Sequence, residues 1–107
     1  MFDTLVKGLN EKGGSVRAYE ACARAARSRI AAEPDNAAAL FLIAFAAQRF
    51  VDAYDDQPLT VEAAGEEMEQ FSSFVSALDA GWAAGTAEAK LDALNKVAAQ
   101  ITATARS

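Results

Sequence analysis

Apolar side chains recur through most of this chain at intervals of three and four residues, the period of a helix that buries one face. Phe2, Leu5, Val6 and Leu9 open the pattern and predict a short amphipathic arm over 1–12, closed by the Gly13-Gly14 pair. Ser15 has the side chain of an N-cap, and behind it Val16, Tyr19, Cys22, Ala23, Ala26 and Ile30 share one face of a helix predicted over 15–33. Pro34 stops that helix, because the residue before a proline is pushed away from helical backbone angles. Asp35 or Asn36 is expected to cap the next helix, over 35–56, which Gln57-Pro58 ends.

Thr60 caps a helix predicted over 60–80, with Glu62 favourable in its first turn and Leu59 placed for a hydrophobic staple. Its stripe is Val61, Ala64, Met68, Phe71, Phe74, Val75 and Leu78, and the stretch DAGWAAG is expected to break it between Gly81 and Gly85. Thr86 opens the last helix, over 86–105, where Leu91, Leu94, Ala98 and Ile101 repeat as in a coiled-coil seam. Short connections between these segments favour antiparallel neighbours. The expected fold is therefore all-α, an antiparallel up-down four-helix bundle with a short N-terminal helical arm, forming a single domain over 1–107.

Composition sharpens this picture. Apolar residues make up 52% of the chain, but 27 of its 107 residues are alanine, so the core must be thin and its helices closely spaced. Alanine also has the highest helix propensity of any residue. The single cysteine, Cys22, rules out an internal disulfide and falls on an apolar face, as a small buried hydrophobe would. The segment MFDTLVKGLNEKGG lacks the basic start and long apolar run of a signal peptide, and the apolar run at 37–47 is shorter than a membrane span. A cytoplasmic protein without a membrane partner is expected.

The stretch AAALFLIAFAA, 37–47, is apolar on every side. Around the helical wheel Leu40, Ile43, Phe50, Val51 and Tyr54 fill one arc, wide enough to face a bundle core. Phe41, Leu42 and Phe45 fall on a second arc, nearly opposite. Three covers are expected for it, in this order: the N-terminal arm, folding Phe2 and Leu5 over Phe41 and Phe45; a second copy of the chain in a homodimer; and a different partner or an apolar ligand. These five residues are the candidate interface.

Net charge is −5, unevenly spread: between Phe50 and Ala89 there are nine acids and no Lys or Arg, whereas the first 49 residues carry seven basic and five acidic side chains. Glu62, Glu66 and Glu69 lie opposite the apolar stripe and predict a solvated acidic face. Glu67 falls inside the edge of the stripe and calls for an arginine or a hydroxyl as partner, with Arg29 the expected one in a buried ion pair. Arg17, Arg24 and Arg27 form a basic stripe, but the acidic whole would repel nucleic acid, so none is expected as partner.

The chain has no histidine, which removes the common general base at neutral pH and most zinc sites. No glycine-rich phosphate loop, cysteine pair or hydroxyl beside a base is present, and the acids Asp52, Asp55, Asp56 and Glu62 around Pro58 do not follow the order of an EF-hand loop. No enzyme activity, cofactor, metal or catalytic residue is expected. The function expected is that of a small interaction module that self-associates. The alternatives are an acidic inhibitor or decoy of a basic nucleic-acid-binding partner, and a bundle that binds an apolar ligand or a cation.

Overall fold

Local chemistry sets the ends of five helices in the computed structural model, which describes residues 1–105. They are α1 (Asp3–Glu11), α2 (Val16–Ala32), α3 (Ala37–Tyr54), α4 (Val61–Ala84) and α5 (Ala87–Ala105), with a turn of 3-10 helix at Pro34–Asn36. No strand occurs among the described residues. Three hydroxyls act as caps by accepting a backbone N–H three residues on: Ser15 from Ala18 at 3.1 Å, Thr60 from Ala63 at 3.0 Å and Thr86 from Ala89 at 3.1 Å. At the end of α1, the Gly13 N–H reaches the Asn10 carbonyl and the Gly14 N–H the Leu9 carbonyl, a Schellman closure that needs positive φ, 75° at Gly13.

Two boundaries differ from expectation. The fourth helix does not stop at residue 80 but runs through Gly81 and Trp82 to Ala84, where Gly85 takes the left-handed conformation at φ 79°. Gly81 is a contact point rather than a breaker. A Cβ there would lie 2.6 Å from the Ala93 Cβ and 3.0 Å from the Ala89 carbonyl oxygen, so its missing side chain lets α5 pass close to α4. The third helix starts at Ala37, and Asn36 does not cap it through its side chain. That side chain is engaged elsewhere, as described below.

Helix α2 packs chiefly on α3 and α4 chiefly on α5, while α3 also meets α4 and α5. Alanines make the first of these contacts close: Ala23, Ala26, Ala39 and Ala47 are all fully buried. The four long helices do not close a ring by themselves, since α2 makes no backbone approach to α4 or α5 among the described residues. Instead α1 lies against both α2 and α4. The expected arm is thus a wall of the core, with Phe2, Leu5 and Leu9 buried.

An aromatic cluster ties α2, α3 and α4 together. Tyr19 stacks on Phe50 with ring centroids 3.7 Å apart and meets Phe71 edge-on at 5.5 Å. Phe74, Val75, Leu78 and Trp82 continue the buried stripe of α4, but Val61, expected at its start, is almost fully exposed. Pro34–Tyr54, 21 residues counted with the 3-10 turn, is long and apolar enough to cross a bilayer, a test that the shorter 37–47 run did not meet. Nearly half (44%) of its most apolar window is buried within the protein, and the core helix of a soluble protein passes the same test.

Candidate interaction surface

Burying one arc of α3 leaves the other outside. Leu40, Ile43, Phe50 and Val51 face the core, whereas Phe41 is 61% and Phe45 48% exposed. Their rings lie near-parallel with centroids 6.4 Å apart, on the edge of an open groove of about 200 Å³ shared with Ala98, Ile101 and Thr102 of α5. Leu42, half-buried, lines the same groove. Ala98, Ala99, Thr102 and Ala103 extend it along α5 as a shallow trough of small side chains. Arg49 fixes α5 beside α3 by donating from Nη1 to the Ile101 carbonyl at 3.1 Å.

The other two expected interface residues are elsewhere. Phe2 is fully buried and Leu5 nearly so, in contact with α2 and α4 rather than α3. The cause is a set of interactions at the start of the chain. The Phe2 N–H donates to Asp79 Oδ1 at 2.7 Å, and its ring meets Trp82 edge-on at 5.4 Å and lies beneath the Arg29 guanidinium at 5.7 Å. Neither residue covers Phe41 or Phe45, and neither is available to a partner.

The expected Glu67–Arg29 pair is not made either. Arg29 grips Glu33 through Nε and Nη2 at 2.6 and 3.0 Å, and Glu67 accepts a long hydrogen bond, 3.4 Å, from the Tyr54 hydroxyl. Glu33 lies four residues after Arg29 on the same helix face, so its claim is local and needs no folding of distant segments. That spacing was visible in the sequence. The Asn36 amide donates to Glu33 at 2.9 Å, and Asn36 Oδ1 accepts from the Trp82 indole at 2.7 Å. The chain Arg29–Glu33–Asn36–Trp82 joins the α2–α3 connection to α4, and Arg29 with Asn36 holds the Glu33 carboxyl down at about 2. Trp82 escaped the sequence analysis because its flanking glycines were read as a break.

Glu62, Glu66 and Glu69 are exposed along α4. Among the described residues, no cluster of three or more acidic or cysteine side chains is arranged to hold a metal ion. Cys22 is buried, its Sγ 3.9 Å from the Leu5 carbonyl, and burial pushes its thiol up to about 11. At neutral pH it is a protonated, unreactive group.

A second concavity lies between α3 and α4, with Tyr19 of α2 as part of its lining. Its volume is about 180 Å³, and Arg49, Tyr54, Glu67 and Gln70 bring polar atoms to it. The Tyr19 hydroxyl is buried without a hydrogen-bond partner among the described residues. Burial, reinforced by the nearby Glu67 charge, pushes that phenol well above its usual range. No protein-family model, curated protein or solved structure matches the chain.

Proposed function

We propose that this chain is a non-catalytic helical interaction module that self-associates in the cytoplasm through the α3–α5 face. The observation that carries the reading is the joint exposure of Phe41 and Phe45 beside a groove of matching chemistry. A two-fold contact places one surface against itself, so that surface must hold both a projection and a recess. The α3 rings project, and the α5 trough of Ala98, Ala99, Thr102 and Ala103 is recessed. A second copy, turned so that each pair of rings enters the other's trough, satisfies both. Up-down packing of successive helices, favoured by the short connections at 33–36 and 85–86, is the scaffold inferred for it.

The contact is expected to be modest. Each half-exposed ring offers on the order of 100 Å² of apolar surface, far short of the roughly 1,200 Å² that a stable interface buries. The rings therefore act as anchors, and Leu91, exposed on α5, extends the contact. Light scattering over a hundredfold range of protein concentration tests the proposal. Mass should rise from monomer to dimer with concentration, and Phe45→Asp should hold it at monomer with unchanged helicity. A wild-type monomer throughout the range, or a Phe45→Asp variant that still dimerises, would overturn it.

A further inference from the structure

We propose that the cavity between α3 and α4 binds a small organic zwitterion, with its carboxylate on Arg49 and its ammonium on Glu67 among the aromatic rings. This site shares no lining residue with the Phe41–Phe45 groove and is independent of self-association. Its volume of about 180 Å³ is of the order of cavities that hold a benzene-sized molecule. A lipid or other long apolar ligand would not fit, and a single carboxylate is too few ligands for a hard cation.

Three of the polar groups around the cavity, on Tyr19, Arg49 and Glu67, keep hydrogen-bonding capacity that the described residues do not use. Tyr19 is only 1% exposed, yet its hydroxyl has no partner among the described residues. Buried hydroxyls are normally satisfied, and the core would accept phenylalanine at this position with the same ring contacts to Phe50 and Phe71. Arg49 and Glu67 reach the cavity from facing helices with opposite charges, and no ion pair joins them among the described residues. Arg49 uses Nη1 on the Ile101 carbonyl, which among the described residues leaves its other N–H groups for an anion. Among the described residues, Glu67 has only the long bond from Tyr54.

Charge chemistry then selects the ligand. A simple cation in this cavity meets Arg49, and a simple anion meets Glu67, so each suffers one repulsion. A molecule with both charges satisfies both walls. The Tyr54 and Phe50 rings line the same space and favour an ammonium, including a methylated one. The Tyr19 hydroxyl, which has no partner among the described residues, is left to hydrogen-bond the ligand.

The test is titration of the isotope-labelled full chain, followed by amide shifts, with glycine betaine and L-alanine as zwitterions and tetramethylammonium chloride and sodium acetate as single-charge controls. Saturable shifts should centre on residues 46–54 and 67–74 for at least one zwitterion, with each control at least tenfold weaker. Glu67→Gln, which keeps the size of the side chain, should weaken binding at least tenfold, and Arg49→Lys should weaken it less than Arg49→Gln. The proposal fails if neither zwitterion saturates, if a control binds as well, or if Glu67→Gln binds like the parent.

Discussion

Two glycines within α4 show how much a single Cβ decides. Gly65 is exposed, and a Cβ there would meet nothing within 4 Å. Gly65→Ala should therefore stabilise the protein by about 0.5–1 kcal/mol, the ordinary gain of alanine over glycine inside a helix. Gly81→Ala brings the same intrinsic gain but drives a methyl group to 2.6 Å from the Ala93 Cβ, with the Ala89 backbone at 3.0 Å behind it. Neither neighbour can swing aside, so α5 must shift. A net loss of about 1–3 kcal/mol is expected, as for overpacked cores, and urea unfolding of both variants measures the contrast. Equal stability gains in the two would show that α4 and α5 separate at no cost.

Among the helical elements, the α2–α3 connection depends on a carboxylate. Glu33 is held at about 2, against an ordinary 4.5, first by the hydrogen bonds from Arg29 and then by that from Asn36. A carboxylate depressed by folding contributes stability that is fully present above its unfolded pKa. It is lost as pH falls from about 4.5 toward about 2. Melting temperature should fall over that window in the parent, and Glu33→Gln should flatten part of the fall while lowering stability at pH 7. Fluorescence of Trp82, the chain's one tryptophan, reports on the same connection through its bond to Asn36. A parent and variant with parallel pH profiles would show that the Arg29–Glu33 contact is only a solvated surface pair. The four-residue Arg29–Glu33 spacing and the Ser15, Thr60 and Thr86 caps were all legible from neighbours in sequence. The bond from Trp82 to Asn36 was not, because it spans 46 positions and depends on α4 continuing through Gly81.

For the molecule as a whole, the first helix matters more than its length implies. Residues Phe2, Leu5 and Leu9 are buried between α2 and α4, and burying three such side chains is worth roughly 5–9 kcal/mol by transfer energies. That is comparable with the total stability of a small domain, about 5–15 kcal/mol. A chain lacking residues 1–12 should lose its cooperative melting transition, as followed by circular dichroism. If it melts like the parent, α1 is an appendage after all. Charge enters at the same scale: the exposed acids of α4 lie on a different helix from the α3 rings, so self-association should vary little with salt. Steep weakening in salt would move the contact to the acidic face.

Sequence alone determined what depends on near neighbours: five helical segments, most of their caps, the alanine-rich core and the doubly apolar start of α3. Periodicity and capping act within one or two turns, so these features are written locally. Tertiary structure decided which surfaces meet. Only the packed chain shows that α1 turns to α2 and α4 and leaves Phe41 and Phe45 uncovered, that Arg29 stays with Glu33, and that Glu67 lines a cavity with Arg49 and Tyr19. A helical wheel gives the angle of each side chain about its own axis. Which neighbour fills that angle is set by competition among all the helices for the same buried surface.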